Sequence, residues 1–365
     1  MNPLLEPFSF RCGARAPNRV ALAPLTNGQS RTDGTLGEEE YEWLVRRARG
    51  GFGLVSTCAA HVTAAGQGFD GQLGVWSDAQ LEGLGRLASG VAHHGGLPIA
   101  QLYHGGARSP SRLTGVQPVS ASAFVEPGNA EFEVPRAASD AEVEGFVSAF
   151  REAAARVARA GFAGVELHGA HGYLLGQFLS STQNTRDDRW GGSLEGRAAL
   201  LRAVIRAVRS AVEPSFVVGV RLSPEDFGQA RGLDLDESVR VAQWAADDGV
   251  DFVHLSLWDH RRSTRKRPER HALDLFRPAL PPEVALVVAG DVWTQDEARG
   301  LLDRGADLVA IGRAAILDPD WPTRVARDGH EPVRPPRTPD QLAEVGVSPA
   351  FVRYLARFRN LVAST

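Results

Sequence analysis

The amino-acid sequence predicts an α/β protein, a single (β/α)₈ TIM barrel with an excursion after the third strand and a C-terminal extension. Eight short apolar runs are spaced along the chain, and helical patterns separate them. Short apolar runs that alternate with helices are typical of a parallel sheet covered by crossover helices. Eight such runs favour a closed barrel. The open, doubly wound sheet is the competing fold, but the Gly-x-Gly-x-x-Gly motif that often follows its first strand is missing.

The predicted elements follow one another regularly along the chain. We expect the strands at about residues 19–26, 52–60, 97–104, 164–168, 216–222, 251–258, 285–292 and 307–312. The helices are expected near residues 38–49, 78–94, 140–160, 194–212, 236–248 and 294–304.

Two stretches are surplus to this barrel. Residues 105–136 are too long for a simple connection, so we expect them to fold over the barrel mouth. Residues 330–365 begin with several prolines and end in an amphipathic helix at 351–358. The sequence therefore predicts a barrel over residues 1–329 and an extension over 330–365. That extension would pack on the barrel or on a neighbouring subunit of a homo-oligomer.

Composition narrows the class of protein. The net charge of −4 gives no reason to expect nucleic acid or an anionic membrane as a partner. Two cysteines are too few for a disulfide framework, and neither an export signal nor a run of 18 apolar residues is found. A cytoplasmic protein is expected. Lys266 is the only lysine, so catalysis through a buried Schiff-base lysine is nearly excluded.

Polar residues or glycines stand at the carboxyl ends of the predicted strands, where a barrel of this type places its chemistry. His168, His171 and Tyr173 lie close together after the fourth strand. The pair of histidines could bind a metal together with His104 or Glu166, or could be a structural feature of the turn. The other strand-end residues are Thr26, Cys58, Gln101 with His104, Arg221, Asp259, Gly290 with Asp291, and Gly312 with Arg313.

The last two strands suggest a phosphate site. Gly290 and Gly312 would let backbone amides approach an anion, and Arg313 adds a cation. The alternative is that the glycines only turn the chain. Gln101 suits a uracil-like edge, and Arg221 needs an anionic partner, which could also be Glu225 or Asp226. A ligand that satisfies all of these groups is flavin mononucleotide (FMN).

The sequence resembles the Old Yellow Enzyme family of FMN-dependent NAD(P)H ene-reductases. The resemblance covers residues 18 to about 320 and rests on several motifs in a fixed order. These are Asn-Arg-Val-Ala-Leu-Ala-Pro-Leu-Thr at 18–26, Gln-Leu-Tyr-His at 101–104, Glu-Leu-His-Gly-Ala-His-Gly-Tyr-Leu at 166–174, the Asn-to-Arg stretch at 184–197, Arg221 and Ile-Gly-Arg at 311–313.

The resemblance implies the roles of the site residues. NAD(P)H would reduce the flavin, which would pass hydride to the β-carbon of an activated alkene. His168 and His171 would bind the carbonyl or nitro oxygen of that small-molecule substrate, and Tyr173 would protonate its α-carbon. The residues expected to line FMN are Ala23, Pro24, Leu25, Thr26, Cys58, Gln101, Arg221, Gly290, Gly312 and Arg313.

Some features depart from the family or leave alternatives open. Thr26 stands where one bacterial branch has a redox-tuning cysteine, while Cys58 follows the next strand and could be a buried packing group. The arginine-rich loop 259–271 is expected to recognise phosphate groups of the nicotinamide donor, or to be a solvated loop. Competing functions are a tRNA dihydrouridine synthase, a metal-dependent lyase or hydrolase, and a non-catalytic flavin sensor.

Overall fold

Eight parallel strands close into a barrel in the computed structural model, which describes residues 2–126, 129 and 131–363. Each strand pairs with the next along the chain, and Ala310 of the last strand pairs with Ala21 of the first. This arrangement confirms the predicted fold class. The strands, β1 to β8 in order, are Val20–Leu22, Leu54–His61, Leu97–Tyr103, Gly164–His168, Val217–Leu222, Phe252–Ser256, Ala285–Ala289 and Leu308–Ile311.

Helices cover the outside of the barrel, and all six predicted ones are present. The α-helices of five residues or more, α1 to α12, are Glu38–Arg49, Leu81–His93, Asp140–Arg159, Leu174–Leu179, Leu194–Ala211, Leu235–Asp247, Leu273–Ala279, Gln295–Asp303, Arg313–Leu317, Trp321–Asp328, Pro339–Glu344 and Pro349–Leu355. Several of them begin with a capping box, such as the one that Ser139 and Glu142 form at α3. A capping box satisfies backbone amides that have no partner within the helix. Within the described residues, no helix combines the length and hydropathy required to span a membrane.

A short hairpin closes the amino-terminal end of the barrel. Its strands, Phe8–Ser9 and Arg15–Ala16, pair in antiparallel fashion. Phe10, between them, is buried with residues from the starts of the barrel strands, including Leu54, and its ring lies 6.0 Å from that of Phe252. Because this end is closed, a ligand must enter at the carboxyl ends of the strands.

The excursion after β3 packs beside the barrel mouth. It contains two helical turns and a two-residue strand, Val119–Ser120, that pairs with Arg136–Ala137. Gln177 of α4 holds it in place by accepting hydrogen bonds from the amide of Ala107 and the hydroxyl of Ser120. Because these contacts hold it against α4, it lies at the side of the mouth, and none of its described residues lines the main cleft.

The C-terminal extension returns to its own barrel. Phe351 of α12 is fully buried, with its ring edge-on to Trp43 of α1 at 5.5 Å. Arg47 of α1, also buried, donates to the carbonyl oxygen of Val345. The predicted amphipathic helix is therefore present, beginning at Pro349 and ending at Leu355.

Candidate active site

A cleft of about 490 Å³ opens at the carboxyl ends of the barrel strands. This volume suits a cofactor or a small-molecule ligand. The cleft brings together every predicted site residue except Cys58: Ala23, Pro24, Leu25, Thr26, Gln101, His168, His171, Tyr173, Arg221, Gly290, Gly312 and Arg313.

Cys58 does not line this cleft, and its predicted place there is wrong. The pairing of β2 with β3 is irregular between Ser56 and Ala59, which changes the side chains that face inward, and Ala59 lines the cleft instead. The buried thiol of Cys58 contacts the carboxyl group of Glu40 on α1. Burial, and next the charge of Glu40, raise the pKa of Cys58 well above its ordinary value. Cys58 is therefore a buried packing group, which was the alternative interpretation of the sequence.

We therefore expect Cys58 to resist iodoacetamide in the folded enzyme, because the thiolate is the reactive form. Cys12, which is partly exposed, serves as the internal control and should be labelled first. Peptide mass spectrometry after timed labelling measures both rates. The variant Cys58→Ala should leave the visible spectrum of the expected FMN unchanged. Equal labelling of the two cysteines, or a shifted spectrum, would contradict this placement.

His168 is the last residue of β4, and its side chain lines the cleft, where it offers a hydrogen-bond donor. The amide of Ala170 donates to its Nδ1 at 3.3 Å. Burial, and then the charges of His171 and Arg221, lower the pKa of His168 well below its ordinary value, so the ring is neutral at pH 7. A neutral imidazole with an accepting Nδ1 carries its proton on Nε2. That N–H is available to a ligand.

His171 is fixed from both its backbone and its ring. Its φ of +62° is in the left-handed region, which costs a non-glycine residue and is held here by surrounding contacts. Its amide donates to the hydroxyl of Ser223 at 3.1 Å, and its Nε2 shares a hydrogen bond of 2.7 Å with the hydroxyl of Ser256. Burial and the charge of Arg221 lower the pKa of His171 well below its ordinary value. The two histidines are therefore rigid and neutral.

Tyr173 stands beside these histidines at the start of α4. Its ring packs edge-on against Tyr103 at 4.5 Å and against His168 at 5.0 Å. Burial, with a smaller contribution from Tyr354, raises the pKa of Tyr173 to about 12. The phenol is therefore protonated at neutral pH and can donate a proton inside the cleft.

Arg221 is a buried cation with spare hydrogen-bonding capacity. Its Nη2 donates to the hydroxyl of Ser256 at 3.0 Å, whereas its Nε is buried without a partner among the described residues. The alternative partners considered above are occupied elsewhere. Glu225 accepts hydrogen bonds from backbone amides of the 259–271 loop, and Asp226 accepts them from the amides of Gly232 and Leu233. A buried, incompletely paired guanidinium favours an anionic ligand.

Gln101 belongs to a buried network below the cleft. Its amide nitrogen donates to Glu166 at 2.6 Å, and Nδ1 of His254 lies 2.7 Å from the other carboxyl oxygen of Glu166. Burial alone would raise the pKa of Glu166, but His254 and Arg221 outweigh it and lower the pKa. Glu166 is therefore ionised and fixes the orientation of Gln101. One amide N–H and the carbonyl oxygen of Gln101 remain for a ligand.

The predicted phosphate site is assembled at the ends of β7 and β8. A Cβ on Gly290 would lie 2.9 Å from Leu257 and 3.0 Å from the amide of His260, so packing requires glycine there. At Gly312 the nearest atom is 3.8 Å away, which leaves room for a ligand. Arg313 is not a free cation, because its Nη2 is 2.5 Å from a carboxyl oxygen of Asp291. An incoming phosphate would compete with Asp291 for this guanidinium.

Several residues of the cleft were missed in the sequence. Ser256 gave a detectable signal, since it is a polar residue near the end of a predicted strand. Trp258 ended that predicted strand at 251–258, but β6 ends at Ser256, so Trp258 lies in the loop that follows. Phe227 also lies in a loop, whose course the sequence does not specify. Tyr354 and Phe358, four residues apart on the predicted C-terminal helix, also reach the cleft, where Tyr354 lies near Thr26.

The residues present fit FMN better than a metal ion. The unpaired Nε of Arg221 and the free amide groups of Gln101 suit the pyrimidine edge of a flavin, and the open backbone at Gly312 suits a phosphate. Within the described residues, no group of three or more histidine, cysteine, aspartate or glutamate side chains is arranged to hold a metal.

Comparison with known proteins gives a consistent result. Residues 3–331 match the model of the NADH:flavin oxidoreductase / NADH oxidase family. The chain is 37% identical to the probable NADH-dependent flavin oxidoreductase YqiG of Bacillus subtilis, over 90% of this chain and 89% of that protein.

Solved structures show the same similarity. The Old Yellow Enzyme homologue of Zymomonas mobilis superposes with a TM-score of 0.82 and 29% identity, over 93% of this chain and 96% of that one. Morphinone reductase in complex with tetrahydroNAD gives a TM-score of 0.81 and 30% identity, over 95% and 96%. The chain spans 52% of the longer 2-naphthoyl-CoA reductase, at 25% identity and a TM-score of 0.83.

Proposed function

The chain belongs to the NADH:flavin oxidoreductase / NADH oxidase family, the family of the Old Yellow Enzyme homologues, and on this premise we propose that it reduces activated C=C bonds. Family membership confirms the predicted resemblance, the enzymatic class, the FMN cofactor and the use of a nicotinamide hydride donor. The proposed substrates are small α,β-unsaturated carbonyl or nitro compounds.

FMN supplies the redox chemistry when bound, since it accepts hydride from NAD(P)H and passes hydride to the substrate. The residues of this cleft would hold it in place. Gln101 and Arg221 would contact the pyrimidine edge of the ring. The backbone at Gly290 and Gly312, with Arg313, would bind the phosphate. Residues 23–26 would form the wall between these two ends.

The substrate would be activated by His168 and His171 and protonated by Tyr173. The Nε2–H of His168 and the ring of His171 would bind the carbonyl or nitro oxygen and withdraw electron density from the double bond. This polarisation would make the β-carbon a better hydride acceptor, and the hydroxyl of Tyr173 would give its proton to the α-carbon. One hydride and one proton are added, two C–H bonds form, and the π bond is lost.

One observation carries the proposal: the free Nε2–H of a neutral His168 and the protonated phenol of Tyr173 face the same cleft, with their rings 5.0 Å apart. Such a pair supplies an electrophilic contact for an oxygen and a proton for a neighbouring carbon. A metal-independent reduction of a polarised alkene needs both groups.

The test is anaerobic reoxidation of the NADPH-reduced enzyme in a stopped-flow spectrometer. We expect cyclohexenone, maleimide and a nitroalkene to restore the oxidised flavin spectrum, whereas the saturated control cyclohexanone should not. If only molecular oxygen reoxidises the flavin and all three alkenes are inert, the protein is still a flavin oxidoreductase but does not reduce alkenes.

A further inference from the structure

A second cleft, of about 330 Å³, adjoins the candidate active cleft. The two clefts share Phe227, Leu257 and Trp258, which form a ridge between them. The far side of the second cleft is formed by the loop after β6, including Arg262 and Arg265. A ligand that is longer than the first cleft could therefore cross the ridge and continue into the second.

The ridge presents an exposed aromatic surface. Trp258 has 65% of its surface exposed, unusual for a large apolar side chain, and its ring lies 6.2 Å from that of Phe227. Phe227 in turn packs against His171 at 5.9 Å. An indole face that is supported on one side and open on the other can stack with a planar heteroaromatic ring.

The arginine-rich loop is less available for phosphate than the sequence suggested. Four of its cations are paired with carboxylates: Arg261 with Asp259 and Asp291, Arg262 with Asp259, Lys266 with Asp234 and Asp236, and Arg267 with Asp236. Arg270 donates to the carbonyl oxygen of Asp274 and lines neither cleft. Apart from Asp259, these partners belong to neighbouring loops and helices, which the loop's own sequence does not reveal.

Arg265 is the cation that remains. Its side chain is exposed and makes no hydrogen bond or ion pair with any residue that the structure describes, although its amide is fixed by Glu225 at 2.7 Å. Arg262 is 76% exposed and lies 3.6 Å from Asp259. The carboxylates of Glu225, Asp226 and Asp259 also line this cleft and disfavour an anion deep inside it. A phosphate group would therefore bind at the outer edge, near Arg265.

We propose that the second cleft binds the adenosine end of the nicotinamide dinucleotide, with adenine stacked on Trp258 and the 2′-phosphate of NADPH at the guanidinium of Arg265. The inference rests on the proposed function, because it requires the nicotinamide to react in the adjoining cleft. The two ends of one donor would then occupy two clefts that share a wall. Trp258 would contact the adenine of both NADH and NADPH.

The experiment compares three hydride donors: NADPH, NADH and reduced nicotinamide mononucleotide, which has no adenosine. Stopped-flow reduction of the bound flavin gives an apparent Kd for each. Trp258→Ala should weaken NADPH and NADH about tenfold, as expected for loss of one base stack, and should weaken the mononucleotide, which lacks the adenine, much less. Arg265→Ala should weaken NADPH about fivefold and NADH little, since a charged hydrogen bond to an exposed guanidinium is lost. Arg270→Ala, in the same loop, is the matched control and should alter none.

Calorimetry with 2′,5′-ADP gives an independent reading, because this probe contains the adenosine end and no nicotinamide. It should bind to the wild-type enzyme and bind more weakly to Arg265→Ala. Equal changes for all three donors in Trp258→Ala, or unchanged 2′,5′-ADP binding in Arg265→Ala, would overturn the proposal. Failure of the proposed function looks different, because the wild-type enzyme would then be reduced by the donors but not reoxidised by the alkenes.

Discussion

Replacing Tyr173 with phenylalanine is expected to slow reoxidation of the reduced enzyme by cyclohexenone by about 10²–10⁴-fold, the usual contribution of a positioned general acid. The substitution removes the hydroxyl and keeps the ring that packs against Tyr103 and His168. Reduction by NADPH requires no proton from this group and should be nearly unchanged. Stopped-flow measurement of the two half-reactions separates these effects.

Tyr354→Phe is the matched control, since Tyr354 lines the same cleft and the substitution removes the same atom. The proposed proton transfer does not use the hydroxyl of Tyr354, so a small effect on reoxidation is expected. If the two variants slow reoxidation equally, or if Tyr173→Phe slows both half-reactions equally, Tyr173 is not the proton donor.

The pH dependence of reoxidation follows from the same environment. Burial raises the pKa of Tyr173 to about 12, so the donor is protonated at every lower pH and loses its proton only as the pH rises through that value. The reoxidation rate should therefore show no decline attributable to this phenol between about pH 6 and about pH 10. The neutral histidines, whose pKa values are lowered by burial, add no titration near pH 7. If the wild-type rate declines steeply as the pH rises towards 10, and the rate of Tyr173→Phe does not, the raised pKa is contradicted.

The barrel was predictable because its signals are local. An apolar run at Gly164–His168 and an amphipathic pattern at Glu38–Arg49 are complete within a few residues, and the structure begins and ends both elements where the sequence places them. The strand-end residues were predictable for a related reason. A closed parallel barrel gathers the carboxyl ends of all its strands, so polar residues far apart in sequence, such as Gln101 and Arg221, reach one cleft.

The errors concern features that depend on distant contacts. The irregular pairing of β2 with β3 turns Cys58 outward, and no residue near it in sequence signals that irregularity. The charge of the 259–271 loop was overestimated because most of its partners, including Asp234 and Asp236, lie outside it. Tyr354 was missed because the sequence predicts its helix but not the surface on which that helix docks.

Arg221→Met is expected to weaken FMN binding by about 10–100-fold, because a hydrogen bond to a charged group contributes about 1.5–3 kcal/mol and each 1.4 kcal/mol is tenfold. The side chain is 6% exposed and its Nε has no partner among the described residues, so its positive charge is weakly screened and available to a ligand. Fluorescence titration of the apoprotein with FMN measures the affinity. The experiment needs no substrate.

The same substitution should lower the midpoint potential of the bound cofactor. A positive charge near the pyrimidine edge stabilises the electron-rich reduced form, so its removal makes reduction harder. An effect of about 1.5–3 kcal/mol on a two-electron couple corresponds to about 30–60 mV. Arg221→Lys is the control that separates charge from geometry, since it keeps the cation but loses the fork of the guanidinium. Lysine should therefore recover most of the potential and less of the affinity.

If Arg221→Met binds FMN as tightly as the wild type at an unchanged potential, the guanidinium does not face the flavin. In that case its charge serves the buried network instead. Glu166 is ionised partly because of Arg221, so removing the cation would then appear as a loss of stability in the apoprotein. Thermal unfolding of the apoprotein distinguishes the two roles. An arginine that serves only the cofactor destabilises the apoprotein, whereas an arginine that pairs with Glu166 stabilises it.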